Sequence, residues 1–183
     1  MAKVYIFLAS GYEEIEGLTV VDLLRRANIE IMMVSMTGDI YVTGAHHITS
    51  KADALFENVD FSDADMLVLP GGIPGTNNLK AHEGLDHLLK QFSEKGKKLS
   101  AICAAPSILG TKGLLKGKKA TCYPGYEDSL TGAHVKNAAV VEDGNIITSK
   151  GMGTAIDFSL SIIKNLAGEA EAVKIAKAIQ YHN

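Results

Sequence analysis

A cysteine among small residues, a cluster of glutamates and a pair of glycines after an apolar run are the residues in this chain that could do chemistry. Cys103 stands in "SAICAAPSIL" (Ser100–Leu109), where an apolar run meets a segment with helical character. A residue between a buried strand and a helix sits on a tight turn that lifts its side chain above the sheet edge. Such a nucleophile elbow requires small neighbours, here Ala101, Ala104 and Ala105. Pro106 suits the first position of the helix, where its missing N–H costs nothing. A thiol facing a helix N-terminus is expected to ionise below its usual pKa of ~8.5. A cysteine at a strand end also reads as a small buried hydrophobe, and this stretch alone leaves both readings open.

Two other stretches supply possible partners. In "LPGG" (Leu69–Gly72) the absent side chains of Gly71 and Gly72 let backbone N–H groups face a cleft. The N–H of Gly72, with that of Ala104, could hold an oxyanion, although two glycines also make an ordinary turn. In "GYEEIEG", Glu13 and Glu14 open a helix whose dipole favours carboxylates, so they are expected to cap it in solvent. Glu16 lies close to Ile15 and Leu18 and could turn towards the sheet instead. Buried beside a thiolate, it would have a raised pKa and stay protonated, able to donate or pass a proton.

The histidines suggest no metal site. His46 and His47 are adjacent and would point to opposite sides of a strand. His82 and His87, five apart, have a gap seen in some zinc fingers but lack the cysteine pair, and a helix turns them away from each other. His134 and His182 fall in a loop and a tail.

These residues need elements that bring them together. "KVYIFLA" (Lys3–Ala9), "IEIMMVSM" (Ile29–Met36), "DMLVLPGG", "KKLSAICA", "KKATCYP" and "AAVVEDGNIITS" read as strands, the last with an Asp143-Gly144 hairpin signal. Helical patterns run over Ile15–Ala27, over "NNLKAHEGLDHLLKQFSEKG" with Gly96 past its end, and from about Ala105 to Leu115. Two more cover about Gly153–Leu166 and Glu169–Ile179, and "DIYVTGAHHITSKAD" looks like a small hairpin. Continuous apolar strands alternating with amphipathic helices indicate a mainly parallel sheet with helices on both faces. The expectation is an α/β, flavodoxin-like, doubly wound sandwich whose ligands gather at the carboxyl ends of the strands. "ASGYEEIE", "LPGG", "AICAAP" and "TSKGMGT" all fall there.

Bulk properties exclude several classes. The 183 residues suit one domain, 1–183, and carry a net charge of −3, so no basic field invites nucleic acid or an anionic membrane. Two cysteines, Cys103 and Cys122, make no disulfide framework and point to a reducing, cytoplasmic compartment. The N-terminal apolar run is too short for a signal sequence, and no stretch reaches the roughly 20 apolar residues of a membrane helix.

Taken in order, Glu16 in "GYEEIEG", "VLPGG", "AICAAP" and "TSKGMGT" resemble the ThiJ/PfpI superfamily, in the branch of the Parkinsonism-associated deglycase protein and its bacterial relatives. The resemblance runs from about Lys3 to Leu166. It implies a homodimer without a cofactor, Cys103 as nucleophile, Glu16 as its protonated partner, and the backbone of Gly72 and Ala104 as oxyanion donors. Gly71, His46 and Tyr123 would neighbour the substrate, and Gly151 and Gly153 match a turn near the dimer interface. Some relatives have a histidine where this chain has Tyr123, and protease relatives have one where Ala104 stands. A cysteine–histidine relay and protease chemistry therefore lose ground, and amidotransferase-like chemistry does too, for want of a histidine and glutamate pair late in the chain. What the resemblance implies is glyoxalase or deglycase action on 2-oxoaldehydes, small carbonyl compounds or glycated protein. The alternative is a redox-sensing stress protein or chaperone whose cysteine becomes a sulfinate.

Overall fold

The computed structural model describes residues 2–181. Its centre is a seven-stranded sheet in the order β10-β11-β7-β6-β1-β2-β5. These strands are β1 (Lys3–Leu8), β2 (Glu30–Ser35), β5 (Ala54–Leu55), β6 (Met66–Leu69), β7 (Lys98–Ile102), β10 (Val140–Asp143) and β11 (Ile146–Ser149). All neighbours run parallel except the edge hairpin β10–β11, where "EDGN" makes the expected turn. The sheet is therefore mostly parallel with one antiparallel edge, a flavodoxin-like arrangement.

Alternation along the strands sorts the core into two layers. On β1, Val4, Ile6 and Leu8 face one side, with Met66 and Val68 of β6. Tyr5, Phe7 and Ala9 face the other side with Leu67 and Leu69. The first layer is covered by α1 (Glu14–Arg26), α5 (Ala155–Ala167) and α6 (Glu169–Ala178), through Val20, Leu24, Phe158, Ile162 and Ile175. The second is covered by α2 (Gly75–Ala81), α3 (Glu83–Glu94) and α4 (Pro106–Thr111), through Leu79, Leu89, Phe92 and Ile108. With both faces covered, the central strands are apolar at most positions, which is why they read as near-continuous runs. No described helix is long and apolar enough to cross a membrane.

Local chemistry moves several boundaries from where periodicity places them. The helical stretch before Gly96 is two helices, because His82 accepts the Leu85 N–H at 3.1 Å and caps α3. The helix after Cys103 stops at Thr111, not Leu115, as the chain passes into a left-handed glycine, Gly113, at φ +76°. Only Lys119–Ala120 of "KKATCYP" is strand, β8, paired outside the main sheet with β9 (His134–Val135). The Thr121 N–H leaves the ladder for the Thr148 hydroxyl. His134 accordingly lies on a short exposed strand rather than in a loop, and His182 is outside the described residues.

The hairpin is real and separate: β3 (Tyr41–Thr43) pairs with β4 (Thr49–Lys51). It lies over the entrance to α1, held by Gly11 N–H to Thr43 O at 2.9 Å and Ala45 N–H to Tyr12 O at 2.8 Å. From β1 the chain moves to β2 on one side and then returns to β6 on the other. The switch in winding direction opens a crevice above β1 and β6, at the carboxyl ends of the strands.

Candidate active site

Cys103 adopts φ +66°, a left-handed conformation that non-glycine residues rarely take. The strain is held by bonds on both sides of the residue. The Cys103 N–H donates to Ser149 O at 3.0 Å, and its carbonyl accepts the Tyr123 N–H at 2.8 Å. Strand β11 and the segment after β8 thus clamp the elbow from two directions. Pro106 occupies the first turn of α4 as expected, and Ala101, Ala104 and Ala105 are all buried.

Facing the thiol is Glu16 of α1, only 1% exposed. Its side chain hydrogen-bonds that of Cys103, and its Oε2 accepts the Gly71 N–H at 2.9 Å. Residue 71 must be glycine: a Cβ there would stand 2.5 Å from both Glu16 Oε2 and Cys103 Cβ. Residue 72 has its own demand, since Gly72 is at φ +88° and a Cβ would fall 2.3 Å from the Glu13 nitrogen. The backbone N–H groups of Ala104 and Gly72 both reach the Cys103 sulfur. All four segments read at strand ends thus meet around Cys103, the fourth through Ser149 O.

Burial raises the Glu16 pKa to about 7, against the hydrogen bonds from Cys103 and Gly71, with the nearby Glu13 charge adding to the rise. Burial also pushes the Cys103 thiol up, to about 12, reinforced by the charge of Glu16 and the hydrogen bond to it. The Ala104 and Gly72 N–H groups pull the other way without prevailing. This corrects the expectation of a simply depressed thiol pKa: desolvation and a facing carboxylate outweigh the helix N-terminus. The two groups form one titrating unit that keeps a single proton between its two steps.

The other expected neighbours are placed as follows. Tyr123 joins the elbow through its backbone; its half-exposed ring lies against Gly151, whose Cβ position is 3.2 Å from a ring carbon. His46 sits at the turn of the β3–β4 hairpin, with His47 beside it at φ +63°, so the pair is not on a strand. The His46 ring approaches Glu14 and Glu13 at 3.2 and 3.5 Å. These two glutamates are not in solvent: they are only 9% and 4% exposed for Glu13 and Glu14, because the hairpin folds across the start of α1. Burial alone would raise the Glu14 pKa. Its own backbone N–H, both donors of His46 and the Ile48 N–H reverse that and lower it.

A doubly wound sandwich with a strained thiol above its switch point belongs to the flavodoxin-like proteins that carry an elbow cysteine. Residues 2–165 match the DJ-1/PfpI family, and the chain belongs to it. It is 38% identical over 176 residues to protein DJ-1 homolog B of Arabidopsis thaliana, covering 95% of this chain but only 40% of that protein. The chain thus spans less than half the length of this plant relative. A protein named a deglycase from Pyrococcus abyssi is 31% identical over 166 residues, covering 90% of this chain and 99% of its own. The oxidised DJ-1 of Toxoplasma gondii superposes with a TM-score of 0.96 at 34% identity, over the whole of both chains.

The raised Glu16 pKa has a consequence for stability. Between the ordinary 4.5 and about 7 the folded state keeps a proton that the unfolded state releases. Stability therefore falls as pH rises through this window and levels off above it, a loss of about 3 kcal/mol at ~1.4 kcal/mol per pKa unit. Thermal melts should show the gap between Glu16→Gln and wild type opening in favour of the variant from pH 5 to pH 8. Parallel curves would place the Glu16 pKa at its ordinary value.

Proposed function

We propose that the protein is a cysteine-dependent glyoxalase or deglycase that needs no cofactor and acts on 2-oxoaldehydes or early glycation adducts. The observation that carries this reading is the strained Cys103 thiol hydrogen-bonded to a buried Glu16 whose pKa lies near neutrality. A relative named a deglycase supports it. With methylglyoxal, Cys103 sulfur attacks the aldehyde carbon, and the thiol proton ends on the new oxygen by way of Glu16. The hemithioacetal is held there by the Gly72 and Ala104 N–H groups, which now face developing negative charge. Glu16 carboxylate then takes the proton from the former aldehyde carbon and returns it to the neighbouring carbon. This converts the hemithioacetal to a lactoyl thioester, and water cleaves that ester to lactate and restores the thiol. Overall, one methylglyoxal and one water yield lactic acid.

Only the unit with one proton can run this sequence, because one group must be basic and the other acidic. The rate should therefore rise as pH climbs through about 7 and stay level well above it. Cys103→Ser and Glu16→Gln should each lower methylglyoxal turnover by roughly 10²-fold or more. Lactate production at wild-type rates by either variant would end the proposed mechanism.

A second reading is favoured by the likeness to an oxidised relative. Two equivalents of peroxide convert a thiolate to a sulfinate and two waters, and that anion would accept hydrogen bonds from Glu16 carboxylic acid, Gly72 and Ala104. In this reading the chain is a redox-sensing stress protein. Intact-mass analysis after mild peroxide should show a two-oxygen gain that Cys103→Ser lacks. Modification spread over methionines, with Cys103 untouched, would reject it.

A further inference from the structure

Apart from the crevice, a cavity of about 380 Å³ opens where the segments after β8, β9 and β11 converge. Neither Cys103 nor Glu16 lines it. Its polar walls are Thr121 after β8, Lys136 and Asn137 after β9, and Lys150 after β11. We propose that this cavity binds a small organic anion, a carboxylate or a phosphate monoester, through Lys136, Asn137, Lys150 and Thr121.

These four side chains are donors that the fold leaves without an acceptor to match. Lys150 is half-buried, yet among the described residues no carboxylate pairs with it, and its Nζ donates to Asn137 Oδ1 instead. An ammonium group can only donate, so the Asn137 amide turns its oxygen to Lys150 and keeps its NH₂ for another partner. Lys136 stands at the exposed rim and makes no ion pair among the described residues.

Thr121 points to a ligand independently of the lysines. It is only 2% exposed, and its hydroxyl has no hydrogen-bond partner among the described residues. The Thr121 N–H is already taken by Thr148 Oγ1 at 2.9 Å. The hydroxyl oxygen is not closed off by protein, and the space that Thr121 borders is this cavity. A polar group so deeply placed costs free energy until something bonds to it.

The single acid in the lining does not cancel the positive charge. Glu127 Oε2 accepts the Gly125 N–H at 2.6 Å, so two ammonium groups share one carboxylate that is already turned to the backbone. Cys122 adds no negative charge. Burial, reinforced by the charge of Glu127, pushes its thiol up to about 11, so it stays protonated at neutral pH. With Val135 it supplies an apolar wall, which suits an anion carried on a small carbon body.

Titration of the isotope-labelled full chain at constant ionic strength, read from its backbone amide signals by NMR, tests this with phenyl phosphate and benzoate as separate probes. One saturable site should appear, with the largest shifts at Thr121, Cys122, Asn137 and Lys150. The tighter of the two probes tells phosphate from carboxylate. Lys136→Met and Lys150→Met should each weaken binding by roughly 10-fold or more, and Thr121→Val should weaken it too. Lys177→Met, on α6, should leave it unchanged. No saturation with either probe, shifts confined to Gly72 and Ala104, or binding that survives both lysine substitutions would overturn the proposal. None of these variants touches the Cys103–Glu16 pair, so the result is independent of methylglyoxal turnover and either idea can fail without the other.

Discussion

The site depends on one close approach: a buried carboxyl group held against a thiol with room for a single proton between them. Both groups are too desolvated to ionise together at neutral pH, and neither has a full counter-charge in reach. The surrounding backbone is shaped to keep them in contact. Gly71 is bare because a Cβ would occupy the space shared by the carboxylate and the thiol, and its N–H anchors the carboxylate. Gly72 and Ala104 then bring two further donors to the sulfur.

This contact is bought with backbone strain at Cys103. A left-handed conformation at a residue with a side chain costs on the order of 1–3 kcal/mol and persists only where its surroundings over-determine it. Here they do, through β7 and β11 on the sheet side and the segment carrying Tyr123 on the other. The strands beneath, apart from Lys98 at the start of β7, are buried, so the elbow rests on the packed sheet. Chemistry that needs a thiol and an acid at fixed separation is thereby placed on the sheet and not on a mobile loop.

Much of this is legible in the sequence. Apolar runs without polar interruption announced a parallel sheet covered on both faces, and their ends located the crevice. Glu16 stood apart from Glu13 and Glu14 because of its apolar neighbours, and small residues around Cys103 suited a tight turn. What stayed hidden depended on contacts distant in sequence. Burial of Glu13 and Glu14 comes from a hairpin more than thirty residues away, and that fold-back also sets His46 against both glutamates. The helix N-terminus that argues for a lowered thiol pKa is visible in sequence, whereas the desolvation and facing carboxylate that raise it are tertiary facts. The break at His82 is invisible to periodicity, because a histidine cap inside a periodic stretch leaves no trace in it.

The shared proton is tested most directly by the rate at which iodoacetamide alkylates Cys103, followed by mass spectrometry from pH 5 to pH 10 in wild type and Glu16→Gln. A shared proton predicts a rate that rises through about pH 7 in wild type and then stays level, with that inflection absent from the variant. A single rise near the ordinary cysteine pKa of ~8.5, the same in both proteins, would contradict it.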